Sequence, residues 1–341
     1  MKFSISSHRY SRAFIHPLKT AKGVWAKREG FLIQLECEGR RACGEVAPIP
    51  EFGTESLSEA MSFLQALGSE ADTETISVPE SLPCCAFAFS SALACLDARA
   101  QSKVDRKFRL AGLLPSGGDA LRVLVEKQAA GFHCFKWKIG AEPFDREWAL
   151  LLNMLVDSPP EIRFRLDANA SLSAGQTRAW LDAIRSSGYK DQIEFLEQPM
   201  SAGMEPQMAE LSESFGIPIA LDESLNGLNG RRWLSSKTWA GPLVIKPCTL
   251  GSITVFKNEL LGLAPRCVLS SSFETSVGLA QCLRLAAYLY PSQASPSFSL
   301  GFDTQAAFND SLGLNASTPE LNLKQIEQVS NHTADHVFSI K

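Results

Sequence analysis

Short apolar runs that end in charged or polar residues constrain the fold more than any other feature of this 341-residue chain. Five of them end around Lys138, Asp167, Glu197, Asp222 and Lys246, so that successive ends lie 24 to 30 residues apart. That spacing leaves room for one helix after each strand, as in repeated βα units. The six runs are Phe135–Ile139, Phe164–Ala168, Ile193–Glu197, Ile217–Asp222, Leu243–Lys246 and Val268–Ser271.

Strands that alternate with helices favour a parallel sheet. Six runs, with room for two more between residues 106 and 305, favour a closed TIM-type (β/α) barrel over the alternative, an open doubly wound sheet. No GxGxxG fingerprint follows the first strands, which weighs against a dinucleotide-binding sheet. The predicted fold class is therefore α/β.

The beginning of the chain has a different pattern. Residues 1 to about 60 alternate apolar and polar positions and carry turn-forming glycine and proline, which predicts an antiparallel meander. Helical spacing follows from Ser56 to Ala100. We therefore expect an α+β module over residues 1–105, a barrel over 106–305 and a C-terminal segment over 306–341.

Two lysines share one face of the first long run. In Phe135–Ile139 the side chains alternate, which places Lys136 and Lys138 opposite Phe135, Trp137 and Ile139. Lysines that point into a barrel mouth repel each other and lose solvent, so the pKa of one would fall and allow a neutral amine to abstract a proton. The alternative is an edge strand with ordinary surface lysines.

Acidic residues end the next three strands. Asp167, which shares its face with Arg165 and Asn169, is followed by Glu197 and Asp222 on the strands after it. Oxygen ligands that converge from neighbouring strands suit a hard cation such as Mg²⁺, with Mn²⁺ as a substitute. Any one of these carboxylates alone would be an ordinary helix cap or surface ion pair. Three in the same register predict a metal site.

A third lysine ends the apolar strand Leu243–Lys246, where an ammonium group needs a partner or a function. In a closed barrel Lys246 would lie across the mouth from Lys136 and Lys138. Three lysines and a divalent cation outweigh three carboxylates in charge, so we expect an anionic substrate.

This ordered set resembles the enolase superfamily, in its muconate-cycloisomerase-like subgroup, and the resemblance covers nearly the whole chain. Three further segments carry it, namely Pro17–Gly23, Gly44–Pro50 and Ser270–Gly278. The resemblance implies an enolase-like modified barrel whose N-terminal module caps the mouth. It also implies that the C-terminal segment packs back on that capping module.

The resemblance assigns roles to individual residues. Lys138 would be the base, Lys246 an electrostatic stabiliser, and Lys136 a group that orients Lys138 or assists at the carboxylate. Asp167, Glu197 and Asp222 would bind Mg²⁺. Contacts to the substrate or support for the metal ligands would come from Asn169, Glu223, Arg165, Thr20, Ser270, Ser271 and Ser272, with the loop from Thr20 to Trp25 closing over the substrate and the three serines lining its remote end.

The implied reaction removes water from a cyclohexadiene that carries two carboxylates. An N-acylamino acid racemase or a dipeptide epimerase would need the same lysines and metal and is the first alternative. A cycloisomerase is a weaker one. A barrel that only binds or scaffolds a partner has no reason to keep a lysine on each side of an acidic cluster.

Composition excludes other classes of function. The formal net charge is −4 and no long Lys/Arg run occurs, which argues against a nucleic-acid partner. The longest apolar window, Pro83–Ala98, spans 16 residues and is shorter than the roughly 20 that cross a bilayer. The amino terminus lacks the apolar stretch of a secretion signal, so we expect a cytoplasmic monomer or small homo-oligomer whose nine cysteines stay reduced.

Overall fold

The computed structural model describes residues 2–20, 23–72, 76–96, 105–235, 238–291 and 297–339. The predicted end of the first helical stretch at Ala100 lies outside these ranges. So do residues 21 and 22 of the predicted closing loop.

An antiparallel sheet and two helices form the N-terminal module, as the alternation predicts. The sheet order is β3-β2-β1-β4, and long pairing between β1 and β2 makes a hairpin that ends with Thr20 opposite Gly23. One face of the sheet is covered by the helices, whose apolar residues share a core with Phe31, Ile33 and Leu35. The elements are β1 Lys2–Thr20, β2 Gly23–Cys37, β3 Arg40–Val46, α1 Leu57–Leu67, β4 Glu70–Asp72 and α2 Pro83–Leu96.

Parallel strands close into a barrel in the second part of the chain. Five of them form one sheet and two more form a second. Parallel bridges from Leu221 to Leu243, from Ser270 to Gly301 and from Leu110 to Leu300 close the ring, with Leu300–Gly301 as its eighth member. The strands are β6 Ala111–Leu113, β7 Cys134–Lys138, β8 Arg163–Asp167, β9 Ile193–Glu197, β10 Ile219–Ala220, β11 Leu243–Ile245 and β12 Cys267–Leu269.

Helices surround the barrel and bury its outward face. Phe135, Trp137 and Ile139 belong to the large core between strands and helices, which confirms the predicted alternation in β7. The barrel helices are α3 Asp119–Ala129, α4 Phe144–Val156, α5 Ala174–Ser186, α6 Glu205–Phe215, α7 Gly227–Gly230, α8 Arg232–Ser235, α9 Ile253–Leu263 and α10 Ser276–Leu289.

The C-terminal segment returns to the start of the barrel. Strand β13, Glu320–Asn322, pairs antiparallel with β5, Lys107–Arg109, which precedes the first barrel strand. Helix α11, Leu323–Ser339, packs on α10, and its Val337 joins Tyr10 and Leu32 of the N-terminal module in a small apolar cluster. The boundaries at residues 105 and 305 stay a prediction. Within the described ranges no helix combines the length and apolarity that crossing a membrane requires.

Candidate active site

The charged strand ends meet at one edge of the barrel. Lys138 lies opposite Asp167 in the pairing of β7 with β8, and Asp167 lies opposite Glu197 in the pairing of β8 with β9. Ala220 lies opposite Glu197, so Asp222 follows two residues further on. The carboxyl ends of parallel strands share one edge, which is why residues so far apart in the chain come together.

Two of the lysines are paired with the carboxylates. The Nζ atom of Lys136 lies 2.8 Å from Oδ2 of Asp167 and 2.7 Å from Oε1 of Glu197. Lys246 forms an ion pair with Asp222. All three carboxylates are buried, since Asp167 is 2%, Glu197 1% and Asp222 5% exposed. Each ammonium group therefore offsets part of the cost of burying these negative charges.

The donor set fits a hard cation by its chemistry. Asp167, Glu197 and Asp222 supply carboxylate oxygens, and Oε2 of the neighbouring Glu223 is buried without a hydrogen-bond partner. In the part of the chain that the structure describes, no three His, Cys, Asp or Glu side chains form a group ready to hold a metal ion. A cation bound here would compete with Lys136 and Lys246 for the carboxylate oxygens.

Charge pairing shifts the pKa values of this cluster. Burial lowers the pKa of Lys136, but the charges of Asp167 and Glu197 outweigh it and hold that pKa well above its usual value. Lys136 is therefore held in its protonated form. Burial would raise the pKa of Asp167, yet Lys136 lowers it, whereas burial and the charge of Asp167 raise the pKa of Glu197.

Lys138 has different surroundings. Its side chain is exposed at the mouth, and none of the described residues forms a hydrogen bond or ion pair with its ammonium group. Of the two lysines on β7, Lys136 is held within the acidic cluster, and Lys138 is accessible to a substrate.

Asn169 connects two of the acidic residues. Its backbone N–H donates to Oδ1 of Asp167 at 2.9 Å, and its side-chain amide donates to Asp167 and to Oε1 of Glu223, both at 3.2 Å. Its φ of +43° lies in the left-handed region, which asparagine tolerates better than most residues. Burial and the charge of Asp222 raise the pKa of Glu223 to about 7. Asn169 and Glu223 are therefore hydrogen-bonded to each other beside Asp167.

Arg165 lies deeper in the barrel than Asp167. It shares a strand face with Asp167 but pairs with Glu194, donates to the carbonyl of Ser299 at 2.8 Å and stacks over the ring of Phe195. Two residues along a strand correspond to about 6.6 Å, or one layer of the interior. Its partners are therefore other residues of the barrel.

Two of the three serines that were predicted to line the remote end of the substrate form hydrogen bonds with Glu274. Ser271 and Ser272 are buried and direct Oγ of Ser271 (3.0 Å) and the N–H of Ser272 (2.8 Å) at the carboxylate of Glu274. Ser270 is half-buried, and its hydroxyl lies 3.5 Å from the carbonyl of Gly301. Of the three serines, Ser270 is the least buried.

The hairpin of the N-terminal module reaches this edge of the barrel. The side chain of Thr20 lies outside the described residues, although its backbone pairs in the hairpin. Beyond the turn, the ring of Trp25 lies 5.8 Å from that of Phe52, and Nζ of Lys246 lies 5.1 Å above the Phe52 ring. Aromatic contacts thus connect the hairpin to one of the site lysines.

A cavity of about 180 Å³ lies between the module and the barrel mouth. Gly53, Ser81 and Pro83 line it from the module, and Asp222 and Lys246 from the barrel. Asp222 and Lys246 therefore face a cleft that both parts of the chain form.

Two positioning residues were missed by the sequence reasoning. Gln198, fully buried, accepts from the N–H groups of Asp222 (2.9 Å) and Ser224 (3.1 Å), which fixes the backbone at one acidic strand end. Glu147 of α4 accepts from three backbone N–H groups, those of Gly140, Ala141 and Glu142, in the loop after Lys138. The position of Gln198 directly after Glu197 could have indicated its role from the sequence. Glu147 could not have been found in this way, because its sequence context is that of an ordinary acidic residue at a helix start.

Comparisons with known protein families agree with this geometry. Residues 120–313 match the family described as enolase C-terminal domain-like, and residues 7–96 match the N-terminal domain of MenC. The chain is 32% identical over 300 residues to an o-succinylbenzoate synthase of Thermosynechococcus vestitus, covering 86% of this chain and 90% of the relative. It is 33% identical over 272 residues to an o-succinylbenzoate synthase of Enterobacter, covering 77% and 80%.

Solved structures show the same fold. The o-succinylbenzoate synthase of Thermosynechococcus elongatus, solved with Mg in its active site, superposes with a TM-score of 0.79 at 27% identity, covering 96% of this chain and 99% of that one. The L-Ala-D/L-Glu epimerase of Bacillus subtilis superposes with a TM-score of 0.76 at 16% identity, covering 93% and 95%. The second likeness concerns the fold alone.

Proposed function

The chain belongs to the enolase superfamily, in its o-succinylbenzoate synthase family, and we propose that it dehydrates 2-succinyl-6-hydroxy-2,4-cyclohexadiene-1-carboxylate to o-succinylbenzoate, a step of menaquinone biosynthesis. The observation that carries the proposal is the charge order around the barrel mouth. Lys138 ends β7, the first two carboxylates end β8 and β9, and the third lies two residues after β10. Lys246 directly follows β11. Such a site has a proton acceptor on one side of an acidic cluster and a fixed positive charge on the other.

Lys138 is the proposed base. It is exposed at the mouth, so its amine can reach the hydrogen on the carbon that bears the ring carboxylate. In the proposed reaction that C–H bond breaks, its proton passes to Nζ, and its electron pair moves toward the carboxylate. The C–O bond to the hydroxyl then breaks, Lys138 returns the proton to the departing oxygen as water, and the ring becomes aromatic. One lysine thus serves as base and then as acid.

Asp167, Glu197 and Asp222 are the residues that would hold Mg²⁺, with Mn²⁺ as a substitute. When bound, the cation supplies positive charge where the carboxylate of the substrate gains electron density. Asn169 steadies this set, because it donates to both Asp167 and Glu223. Gln198 fixes the backbone of Asp222.

The other two lysines have supporting roles in this proposal. Lys246 presents positive charge from the far side of the mouth, in contact with the ring of Phe52 from the N-terminal module. Lys136 keeps Asp167 and Glu197 together and places a second positive charge near Lys138. The substrate, with two carboxylates, suits a site in which Lys136, Lys246 and a bound cation would supply positive charge beside the neutral amine of Lys138.

The N-terminal module is proposed to cover the site, and the Thr20 to Trp25 hairpin to close over the substrate. Removing water from around the reacting charges strengthens their interactions. We propose residues 1–105, 106–305 and 306–341 as the capping module, the barrel and the C-terminal segment. A cytoplasmic location, a monomeric or small oligomeric state and the lack of a nucleic-acid partner stay predictions.

A direct assay tests this function. The purified protein, with Mg²⁺, is given the cyclohexadiene substrate and, in parallel, N-succinyl amino acids and dipeptides. We expect the highest kcat/KM for dehydration, followed by the absorbance of the aromatic product. Faster racemisation of N-succinyl amino acids, or faster epimerisation of dipeptides, would assign the chain to the alternative reaction on this scaffold.

A further inference from the structure

We propose that Glu45, in the N-terminal module, is a positioning residue for the substrate loop of the barrel. The substrate loop is defined here as residues 270–275, between β12 and α10. Glu45 fixes this loop by capping the start of α10 from the other part of the chain. The inference rests on the proposed function, because it concerns how the remote end of that substrate is held.

The carboxylate of Glu45 is fully buried and takes hydrogen bonds from the first turn of α10. Its Oε2 accepts from the N–H of Thr275 at 2.9 Å, the hydroxyl of Thr275 at 2.6 Å and the N–H of Gly278 at 2.9 Å. Its Oε1 accepts from the hydroxyl of Tyr10 at 2.6 Å. Bonds to an ionised acceptor are stronger than neutral ones, and a negative charge is favoured at a helix N-terminus.

This arrangement is a capping box completed by another segment. In an ordinary capping box, the acidic or amide side chain at the third helical position reaches back to the N–H of the N-cap residue. Helices α1 and α5 have such boxes, from Ser56 with Glu59 and from Ser173 with Gln176. In α10 the third position is Gly278, and Glu45 accepts from Thr275 in place of a local side chain.

Gly278 leaves the space that Glu45 needs. A Cβ at this position would lie 2.5 Å from Oε2 of Glu45 and 2.8 Å from Cβ of Glu274. Any larger residue there would push the carboxylate away from the helix start. The sequence of the barrel helix is thus adapted to a carboxylate that comes from the N-terminal module.

Two buried arginines of the same module bind backbone carbonyls of the loop, at residues that precede Thr275 in the chain. Arg28 donates from Nε to the carbonyl of Ser272 at 3.0 Å, and Arg12 donates to the carbonyl of Glu274 at 3.0 Å. Between them, Phe273 has a φ of +61°, a conformation costly for a bulky residue, and its ring packs edge-on against Phe14 of β1 at 5.3 Å. Contacts with the module therefore hold residues 272–274 of the substrate loop.

The consequence concerns substrate binding. Ser270 and Ser271 begin this loop, and they are two of the three serines that the sequence analysis expects to line the remote end of the substrate. The metal ligands and Lys138 are held instead by strand pairing, which Glu45 does not touch. Loosening the loop should weaken binding of the remote end and leave the metal site unchanged.

The test compares two glutamates that cap helices. Glu45→Gln keeps the shape but removes the charge. The matched control, Glu55→Gln, affects a carboxylate that is 2% exposed and caps α2 inside the module, accepting from Cys84 at 3.1 Å and Cys85 at 2.8 Å. For Glu45→Gln we expect KM for the cyclohexadiene substrate to rise at least tenfold, with kcat and the Kd for Mg²⁺ within threefold of wild type. For Glu55→Gln we expect all three values within twofold of wild type.

A second measurement does not need enzymatic activity. Hydrogen exchange of the Thr275 and Gly278 amides should speed up at least tenfold in Glu45→Gln and stay unchanged in Glu55→Gln. Faster exchange with an unchanged KM would overturn the positioning role and leave only a structural one. An equal rise of KM in both variants would overturn it as well.

A milder variant keeps the proposal testable if Glu45→Gln does not fold. Tyr10→Phe removes only the hydroxyl that donates to Glu45, and a smaller rise in KM, about threefold, is expected in that case. An unchanged KM in Tyr10→Phe beside an unfolded Glu45→Gln would count against the inference. A wild-type protein that fails to dehydrate the substrate refutes the proposed function instead, and exchange at Thr275 and Gly278 then decides whether Glu45 holds the loop.

Discussion

Alanine at Gly278 should destabilise the protein, although alanine normally stabilises a helix. The exchange of glycine for alanine in a helix interior gains up to about 1 kcal/mol. Here the new Cβ would lie 2.5 Å from Oε2 of Glu45, whose carboxylate is fixed by hydrogen bonds and cannot move without losing them. Overpacking a core costs about 1–3 kcal/mol, and losing a helix cap costs about 1 kcal/mol. The expected net loss is about 1–3 kcal/mol.

Gly262 provides the matched control. It lies in α9, and a Cβ built on it meets no heavy atom within 4 Å, so alanine there should gain up to about 1 kcal/mol. Urea unfolding of Gly278→Ala, Gly262→Ala and wild type, followed by circular dichroism with equal slopes, measures the difference. The two variants should shift in opposite directions. Equal shifts, or a Gly278→Ala protein as stable as wild type, would refute the idea that Glu45 occupies the space beside this helix.

Three further outcomes are expected. Lys138→Arg should lower kcat by the roughly 100- to 10,000-fold that a general base contributes, because arginine stays protonated, whereas Lys246→Arg should lower it distinctly less. The control is Lys107→Arg, at an exposed lysine. An equal fall of kcat in both site variants would contradict the one-base mechanism. Chelation with EDTA should abolish dehydration and added Mg²⁺ or Mn²⁺ should restore it, so full activity of metal-free protein would refute the metal site. Burial raises the pKa of Glu274 to about 7, so its contribution to stability is complete below its unfolded pKa of 4.5 and is lost as pH rises to 7. Unfolding curves from pH 4 to 8 should therefore show wild type losing about 3 kcal/mol relative to Glu274→Gln over that window, and a constant difference would argue against a raised pKa.

The barrel and its charged rim were predictable because they depend on short-range patterns. Alternation within β7 placed Lys136 and Lys138 on one face, and the recurring strand ends placed Asp167 and Glu197 on neighbouring strands, which the pairing confirms. The module sheet followed from the same alternation. These features repeat at a fixed spacing, so one sequence is enough to predict them.

The depth of a side chain within the barrel and its hydrogen-bond partners were not predictable from the spacing of residues in the sequence. Alternation gave the face of Arg165 correctly, but its layer depends on Glu194 and Phe195 of the next strand, which fill the barrel interior beside it. Ser271 turns inward because Glu274 takes its hydroxyl. In both cases the decisive contact is a side chain whose role the sequence pattern does not specify.

The two ends of the proposed substrate are held by different kinds of structure. Lys138 and Asp167 lie on paired strands, whose positions are fixed by backbone hydrogen bonds of the barrel. In the substrate loop, the last backbone bond to a barrel strand runs from the N–H of Ser271 to the carbonyl of Gly301. Further along, Arg28 and Glu45 of the N-terminal module bind the carbonyl of Ser272 and the N–H of Thr275. Changes in the module can therefore alter binding at the remote end while the strand-end chemistry stays in place. Because Glu45 and Gly278 depend on each other for space, a change at either one should act on both the module and the loop.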